Sequence, residues 1–505
     1  MLRRPKAVVF GLDGVLVDTA RLHGSAWKRA FDSFFEDRGI GDSFDEHLDY
    51  RRHVDGRPRH QGVAAFLRSR SIELPPGQPD DEPGFATEAA VGNLKNQMFH
   101  ELLESEGVDV LPGAKELLEA FSNDGIPMAV VSSSRNARTV LPDGLGEHID
   151  VVLGGGDAAE LGIPGKPEPR MFIEGARRLG VEPISAAVVE DALAGVRAGR
   201  TGGFAIVVGI DPEGTSRLRE AGADVVLPGV AALPVDIASW PELIEAPLPA
   251  LQSLEMISTL LGDRPAVFLD YDGTLTPIVD DPDAATIDDD VRSILRKLAK
   301  RIPVAIVSGR GLEDVKSQVA VEELTYSGSH GFEIEGPNGE RFEQEDAAGA
   351  IPELDEAERL LSSGAGDLVG VMIERKPYAI AVHTRRAESD EIRAAAGELA
   401  REVVANFDGL VLRGGKEIHE LRPALDWDKG AALARLLRLL PDEPVPLYIG
   451  DDETDEDGFL AVRRESGIGI LVGSASGPET WADFTLADPR ETLELLAHLA
   501  GSLNR

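Results

Sequence analysis

Acidic side chains follow two short apolar runs in the second half of the chain, where they could act together in chemistry. Residues 266–269 are followed by Asp270 and Asp272, and residues 445–449 precede the acidic run 450–455. Carboxylates this close repel each other unless a cation or a proton lies between them. Two such clusters, each placed after an apolar run, predict a divalent-metal site.

These acidic groups suit attack on a phosphate monoester. Asp270 can attack phosphorus and form an aspartyl phosphate, which divides one difficult step into two. Asp272 can protonate the leaving alkoxide and later deprotonate water. Mg²⁺ prefers carboxylate oxygens, so we expect Asp270 and Asp451 as its ligands. We expect Asp452 and Asp455 either as further ligands or as supports for the ligands.

Two more polar residues complete the expected phosphate site. Ser308 follows the apolar run 304–307 and can donate a hydrogen bond to a phosphoryl oxygen. Lys429 stands at the start of a helix-like stretch and can neutralise the remaining charge. Alone, a Ser-Gly-Arg segment is usually a turn and such a lysine is usually solvated, but the signals together indicate phosphoryl transfer. A calcium loop is excluded for the acidic run, because its closing position would be Arg464.

Elements that could position these residues recur in both halves of the chain. Short apolar runs alternate with helix-like stretches, which predicts parallel sheets with right-handed crossovers and chemistry at the strand ends. The runs are residues 7–10, 127–131, 186–189, 204–208, 266–269, 304–307, 445–449 and 468–472. The same α/β core therefore occurs twice, as a repeat at domain scale. The proline-rich stretch 228–249 is expected to link the two halves.

Each half also carries a different insertion. Residues 20–105 are polar and helix-like, with aromatic residues at helical spacing, which predicts a small helical subdomain with an aromatic core. Residues 330–425 mix alternating runs with helix-like stretches, which predicts an inserted α+β subdomain. The expected domains are 1–245 and 250–505, the second with its core at about 263–328 and 427–505 and its insertion at about 330–425.

Composition limits the possible partners. The formal net charge of the 505 residues is -38, a balance that disfavours binding to nucleic acid or to an anionic membrane. The chain has no cysteine, which excludes disulfides and thiol chemistry. No apolar stretch reaches the length that spans a membrane. We therefore expect a cytoplasmic protein that acts on a small molecule.

Residues 250–505 resemble the haloacid dehalogenase superfamily and, within it, the trehalose-6-phosphate phosphatase family. The matching segments are 269–275, 308–310, 328–331, Lys416 with 420–423, 428–430 and 450–456. This resemblance implies that Asp270 is the nucleophile and that Asp272 is the acid and base. It also implies that Asp270, Asp451 and the backbone carbonyl of Asp272 hold Mg²⁺, and that the insertion is a cap that binds the disaccharide.

A substrate with many hydroxyl groups needs paired donors and acceptors on a surface that closes over it. The expected substrate-binding residues lie in core turns or on cap strands and are Thr274, Arg310, His330, Lys376, His383, Arg385, Lys416 and Glu420. For the cap residues a solvated sheet face is the alternative interpretation. Lys416 and Glu420 are the best supported of them, since both belong to segments that match the family.

In the N-terminal half, residues 13–15, Ser132, residues 166–167 and residues 190–191 match motifs of the β-phosphoglucomutase-like branch of the same superfamily. Residues 5–225 resemble that branch, and the resemblance implies that the helical insertion is a helical cap. They depart from it at Gly11, which occupies the position of the nucleophile and has no side chain to phosphorylate. We therefore expect a catalytically silent domain with a vestigial site. The residues of that site are Gly11, Asp13, Ser132, Lys166, Glu190 and Asp191.

Three interpretations of function remain open from the sequence. The first is hydrolysis of trehalose 6-phosphate to trehalose and phosphate. The second is the same chemistry on another sugar phosphate. The third concerns the N-terminal half alone, which would be a ligand-binding or regulatory module attached to the phosphatase.

Overall fold

The computed structural model describes residues 3–46, 48–54, 59–215, 217–244, 246–279, 284–415, 417–473 and 480–502. The described chain divides into two compact units, an N-terminal unit of residues 3–244 and a C-terminal unit from residue 246 onward. Among the described residues, we find no helix with both the length and the apolar character needed to cross a membrane.

The N-terminal unit is built on one parallel sheet. Its strands are β1 (Ala7–Phe10), β2 (Val17–Asp18), β3 (Asp109–Val110), β4 (Met128–Val131), β5 (Val151–Leu153), β6 (Ala186–Glu190), β7 (Ile206–Ile210) and β8 (Val225–Leu227). The sheet order is β5-β4-β1-β6-β7-β8, while β2 and β3 form a separate antiparallel pair. All four residues of β1 are fully buried, as expected for a central strand covered on both faces.

Helices cover this sheet and form the cap of the N-terminal unit. They are α1 (Ala20–Asp37), α2 (Arg59–Ser69), α3 (Glu88–Glu106), α4 (Ala114–Asn123), α5 (Ala137–Val140), α6 (Asp143–Gly146), α7 (Gly155–Glu160), α8 (Arg170–Arg178), α9 (Leu193–Thr201) and α10 (Arg217–Glu220). The aromatic residues of α1 pack with Phe44 and Phe66 in a cluster of their own. This cluster is the core of the helical cap.

The C-terminal unit has a core sheet and a cap sheet. Its strands are β9 (Leu248–Pro249), β10 (Pro265–Leu269), β11 (Val304–Val307), β12 (Thr325–Gly328), β13 (Glu333–Glu335), β14 (Arg341–Glu343), β15 (Met372–Lys376), β16 (Ala379–His383), β17 (Leu410–Gly415), β18 (Ile418–Pro423), β19 (Val445–Gly450), β20 (Ile468–Val472) and β21 (Phe484–Leu486). The core order is β14-β13-β12-β11-β10-β19-β20-β21-β9, and the cap order is β15-β16-β18-β17. Both units therefore confirm the predicted α/β fold with two tandem cores.

The helices of the C-terminal unit pack on these two sheets. They are α11 (Leu254–Leu261), α12 (Asp289–Ala299), α13 (Leu312–Val319), α14 (Glu345–Ala348), α15 (Ile351–Gly364), α16 (Asp390–Val404), α17 (Lys429–Leu439), α18 (Glu456–Arg464) and α19 (Pro489–Ser502). In the cap, α15 and α16 cover one face of the four-stranded antiparallel sheet, with Leu354, Ala396 and Leu421 fully buried between them. The cap thus has its own hydrophobic core.

Two expected boundaries differ from the structure. The hairpin of β13 and β14 pairs with β12 and extends the core sheet, so the cap sheet begins at β15 and not near residue 330. Much of the stretch 228–249 is not a linker, because Trp240 is fully buried in the N-terminal core and its indole N–H donates to the carbonyl of Pro234. The proline content suggested a linker there, but the apolar residues between the prolines pack into the core of the N-terminal unit.

The turn after β10 brings together the ends of two neighbouring strands. Gly273 has a φ of +81°, and its N–H donates to the carbonyl of Thr276. A β-carbon at this glycine would overlap the carboxylate of Asp451, which follows β19. Only glycine therefore combines this backbone conformation with so close an approach.

We predict that Gly273→Ala destabilises the C-terminal unit more than Gly339→Ala. Gly339 lies in the β13–β14 turn with a nearly identical φ of +82°, but a β-carbon there would have no neighbour within 4 Å. Both variants carry a backbone cost of about 1–2 kcal/mol. Gly273→Ala adds the overlap with Asp451, which should cost about 1–3 kcal/mol more. Scanning calorimetry checks this, and equal shifts of the unfolding temperature would mean that Asp451 moves aside freely.

Candidate active site

The strand pairing of the core sheet places the predicted catalytic and metal-binding residues at one edge of the sheet. Strand β10 lies between β11 and β19, so Asp270, Ser308 and Asp451 all follow adjacent parallel strands. A cleft of about 270 Å³ opens there, between this edge and the cap. The expected residues that line it are Asp270, Asp272, Ser308, Arg310, His330, Lys376, His383, Arg385, Glu420, Lys429, Asp451 and Asp452.

Lys429 lies between two carboxylates at the bottom of this cleft. Its Nζ donates to Oδ1 of Asp270 at 3.1 Å and to Oδ1 of Asp455 at 2.5 Å. The lysine is the first residue of α17, whose N-terminus is fixed by a hydrogen bond from the backbone N–H of Ala431 to the side chain of Asp428. Burial alone would lower the pKa of Lys429, but the two carboxylates raise it, so the ammonium group stays charged.

Asp455 is fully buried and both of its oxygens are engaged. Oδ1 accepts from Lys429 and from the hydroxyl group of Tyr448, and Oδ2 accepts from the backbone N–H groups of Asp451 and Asp452 at 2.9 Å each. Burial, together with Asp455, raises the pKa of Tyr448 well above its ordinary value, so this phenol remains a donor. Asp455 therefore shapes the loop that presents Asp451.

The carboxylates at this edge fit a divalent cation. Single oxygens of Asp270, Asp451 and Asp455 lie within 4.8 Å of one another. Burial, with the neighbouring Asp455, raises the pKa of Asp451 to about 7, and burial also raises the pKa of Asp270. A cation would relieve this crowding of buried acids. Because the oxygens of Asp455 are already engaged, Asp270 and Asp451 are the better direct ligands.

Asp272 is held by Arg310 from the loop after β11. Nε of Arg310 donates to Oδ2 of Asp272 at 2.6 Å, and a second guanidinium nitrogen donates to Oδ1 at 2.7 Å. The remaining terminal nitrogen donates to Asp314 in the first turn of α13 at 3.0 Å. Sequence reasoning placed Arg310 against the substrate and did not identify Asp314. In the structure the guanidinium group contacts the predicted acid and base.

Glu420 joins the cap to the core. Its carboxylate accepts from Lys376 on β15 at 2.9 Å and from Nε2 of His330 at 2.8 Å, and Arg422 lies at 3.4 Å. Burial lowers the pKa of His330 to about 4, so the neutral ring donates through Nε2. Burial alone would raise the pKa of Glu420, but Lys376 and His330 hold it well below its ordinary value. Lys376 also donates to the carbonyl of Gly309 in the core at 3.1 Å.

Two further cap residues face the same cleft. Nε2 of His383 pairs with Glu374 at 2.7 Å, a neighbour that sequence reasoning missed because strand pairing, and not sequence spacing, brings the two together. Arg385 donates to the carbonyl of Val279 in the core at 3.1 Å and contacts Glu417. The cap therefore touches the core at more than one point.

One expected substrate-binding residue does not line the cleft, and another lies outside the described residues. Thr274 is fully buried behind the turn after β10, and its hydroxyl oxygen has no partner among the described residues. It does not line the cleft, so it is better placed to support the turn than to contact a substrate. Lys416 lies outside the described residues, so its predicted role as a substrate-binding residue stays a prediction.

The predicted vestigial site of the N-terminal unit has Glu190 close to Gly11. The carboxylate of Glu190 lies 3.2 Å from where a β-carbon of Gly11 would be, and a methyl group of Val15 lies equally close. Oε1 of Glu190 accepts from Lys166. Its second oxygen accepts from the backbone N–H groups of Asp191 and Ala192 at 2.9 and 3.0 Å. A β-carbon at position 11 would therefore be in tight contact with both Glu190 and Val15.

Other predicted residues of that site are also engaged within the unit. Asp13 accepts from the hydroxyl group of Thr19, and burial raises the pKa of its carboxyl. Ser132 accepts from the backbone N–H of Ser134 at 3.1 Å. A β-carbon at Gly14 would overlap the carboxylate of Asp191, as at Gly273 in the other unit. The turn after β1 therefore has the same close approach of glycine to carboxylate as the turn after β10, although Gly11 offers no carboxylate.

Sequence reasoning missed a buried basic pair in the N-terminal cap. Nζ of Lys95 lies 2.6 Å from Nδ1 of His23, and the lysine is almost fully buried over the rings of Trp27 and Phe99. Burial, with nearby Arg59, lowers the pKa of Lys95 to about 7. A lysine within a helix-like stretch is usually solvated, so the sequence did not indicate that Lys95 is buried.

Two family models match the chain. The trehalose-phosphatase model matches residues 268–490, and a haloacid dehalogenase-like hydrolase model matches residues 5–203. The matches fall in different units of the structure.

Sequence relatives fall into two groups. An uncharacterized glycosyl hydrolase of Mycobacterium tuberculosis is 39% identical over 515 residues, which cover 98% of this chain but 38% of that protein. The chain thus spans less than half the length of this relative. A trehalose-phosphate phosphatase of Mycobacterium marinum is 42% identical over 340 residues, which cover 66% of this chain and 85% of that protein.

Solved structures resemble each half separately. The C-terminal domain of a trehalose-6-phosphate phosphatase from Candida albicans is 28% identical, covers 48% of this chain and 96% of its own, and gives a TM-score of 0.43. A β-phosphoglucomutase from Clostridium difficile is 25% identical, covers 46% of this chain and 93% of its own, and gives a TM-score of 0.35.

Family membership rests on the family models and on the sequence relatives. The relative from M. marinum is covered over most of its length, and the trehalose-phosphatase model matches the unit that contains the cleft. The chain belongs to the trehalose-phosphatase family of phosphate-ester hydrolases, with a second haloacid dehalogenase-like domain at its N-terminal end.

Proposed function

We propose that the C-terminal unit hydrolyses trehalose 6-phosphate to trehalose and phosphate. The observation that carries the proposal is the position of Asp270, held by Lys429 at the bottom of a cleft whose opposite wall is the cap. The similarity to proteins named as trehalose-phosphate phosphatases supports this substrate over other sugar phosphates. Action in the cytoplasm on a small molecule, without nucleic acid or membrane, stays a prediction.

The reaction takes place in two steps. A carboxylate oxygen of Asp270 attacks phosphorus, the bond from phosphorus to the sugar oxygen breaks, and Asp272 gives its proton to that oxygen. Water then attacks the phosphorus of the aspartyl phosphate, and Asp272 takes a proton from this water. The bond from phosphorus to the Asp270 oxygen breaks, which releases phosphate and restores the carboxylate. Lys429 neutralises charge beside the nucleophile in both steps, and Ser308 lies on the neighbouring strand end, where its hydroxyl group can donate to a phosphoryl oxygen.

Mg²⁺ would be held by Asp270 and Asp451, with the backbone carbonyl of Asp272 as the resemblance implies. When bound, it would offset the negative charge of the phosphoryl oxygens. Asp452 lies beside this pair and its carboxylate accepts from the backbone N–H of Glu453 at 2.5 Å, so it supports the loop. Asp455, which the sequence also suggested as a ligand, would act through Lys429 and the backbone of that loop.

The cap residues would select the sugar. Glu420 and Lys376 present a buried carboxylate and a buried ammonium group to the cleft, and such groups can exchange their mutual contact for hydroxyl groups of a substrate. His383 and Arg385 line the same wall. Binding of the remote glucose unit there would hold the phosphate against Asp270.

We propose that the N-terminal unit is catalytically silent. Gly11 supplies no nucleophile, and the carboxylate of Glu190 with its partner Lys166 occupies the adjacent space. The glycine at position 11 and the packing of Glu190 beside it therefore both support the proposed loss of turnover in the N-terminal unit. A ligand-binding or regulatory role of the unit stays open.

We predict that Asp270→Asn lowers turnover by about 10³-fold or more, which corresponds to about 4 kcal/mol of lost transition-state stabilisation. An amide is a poor nucleophile and a weaker metal ligand. Phosphate release should be measured from trehalose 6-phosphate, glucose 6-phosphate and sucrose 6-phosphate with Mg²⁺. Asp289→Asn, on the exposed start of α12, is the matched control. Near-normal turnover by Asp270→Asn would reject the mechanism, and a preference for another member of the panel would reject the substrate.

A second prediction separates sugar recognition from phosphate chemistry. Glu420→Gln should lower kcat/KM for trehalose 6-phosphate by about 10- to 100-fold and for p-nitrophenyl phosphate by no more than about threefold, because the second substrate has no sugar to hold. Glu402→Gln, exposed on cap helix α16, should change neither value. Equal losses on both substrates would mean that Glu420 supports the fold and does not recognise sugar.

The third prediction concerns Gly11. Gly11→Asp should not create hydrolysis of small sugar phosphates, because the added side chain meets Glu190 and Val15 and places a second carboxylate beside Glu190. The assay uses the full chain with Asp270→Asn, so that only the N-terminal unit could contribute. Gly11→Ala tests the crowding without the charge. Turnover above that of Asp270→Asn alone would show that one missing carboxylate is the only defect.

A further inference from the structure

We infer that Arg310 is a positioning residue for Asp272, and not a residue that binds substrate. This inference rests on the proposed function, in which Asp272 moves the proton. The guanidinium group makes a two-point contact with the carboxylate, at 2.6 and 2.7 Å. Such a contact fixes the plane of the carboxylate as well as its position, which a single hydrogen bond does not.

The surroundings of Arg310 favour a fixed support over a mobile arm. The side chain of Arg310 is 9% exposed, whereas that of Asp272 is 42% exposed. Asp314 holds the third guanidinium nitrogen, and the group lies 5.3 Å from the ring centre of Tyr271. Arg310 and Asp314 both line the cleft, but the guanidinium group is engaged by two carboxylates and Asp272 is the more accessible partner.

The backbone of the loop is held as firmly as the side chain. The N–H of Arg310 donates to Oγ of Ser308 at 3.2 Å, and its carbonyl accepts from the N–H of Ser329 at 2.6 Å. The carbonyl of Gly309 accepts from Lys376 of the cap. The loop is thus held from both the core and the cap, which keeps the guanidinium group at Asp272.

Geometry also explains why the residue is an arginine. A lysine could keep the charge beside Asp272, but its ammonium group cannot contact both carboxylate oxygens and Asp314 in one plane. A misplacement of about 1 Å can lower a rate by about 10²-fold. A contact that fixes the orientation of Asp272, the proton-transferring group, would therefore support the rate.

The test is a double-mutant cycle on the full chain with Mg²⁺. Arg310→Met should lower kcat for trehalose 6-phosphate by about 10- to 100-fold with KM changed by less than about threefold. In the Asp272→Asn background, Arg310→Met should lower kcat by less than about threefold, because the group that it positions is already gone. Arg310→Lys should stay at least about fivefold below the wild type. Arg359→Met, an exposed arginine of the cap, is the control.

Other outcomes overturn the inference. Multiplicative losses in the double variant, or a rise in KM as the main effect, would mean that Arg310 binds substrate. Full rescue by Arg310→Lys would mean that charge alone matters. The cycle is repeated with p-nitrophenyl phosphate, so a wild type that hydrolyses this ester but no sugar phosphate rejects the proposed substrate while the coupling is still measured. A chain that hydrolyses neither rejects both the function and the inference.

Discussion

The buried ammonium group of Lys429 lies between Asp270 and Asp455, and the C-terminal site depends on this contact. A buried charge costs several kcal/mol unless partners offset it, so the ammonium group of Lys429 depends on the two carboxylates beside it. The contact joins residues 159 positions apart and ties the start of α17 to the ends of β10 and β19. Asp455 also restrains Asp451, because its second oxygen accepts from the backbone N–H of that residue.

The N-terminal unit shows what the same core becomes when one member of this arrangement is missing. Its sheet order, β5-β4-β1-β6-β7-β8, repeats the order β12-β11-β10-β19-β20-β21 of the C-terminal unit. Without a carboxylate at Gly11, the lysine pairs with Glu190, which lies against that glycine. The carboxylate of Glu190 that accepts from this lysine lies 3.2 Å from where a β-carbon of Gly11 would be.

The sequence allowed prediction of features that depend on strand ends, and not of those that depend on side-chain pairing. Apolar runs before Asp270, Ser308 and Asp451 were enough to place them together, since parallel strands align their carboxyl ends. The contact of Arg310 with Asp272 was not predictable, because an arginine after a strand is equally suited to substrate or to carboxylate. The prediction of a linker at 228–249 was wrong for a related reason, since prolines mark turns but do not tell whether residues between them, such as Trp240, are buried.

Charge sets a further constraint on any anionic substrate. The net charge of -38 repels phosphate, although salt screens this field beyond about 8–10 Å. Inside the cleft, Lys429, Lys376 and Arg310 are each paired with a carboxylate, so they provide little attraction at long range. A phosphate ester must therefore gain its affinity from contacts made after entry, where burial weakens screening. The cap presents polar groups to the cleft and is the element that can supply those contacts. Under the proposed function, recognition of the sugar and retention of the phosphate would therefore depend on the same cap.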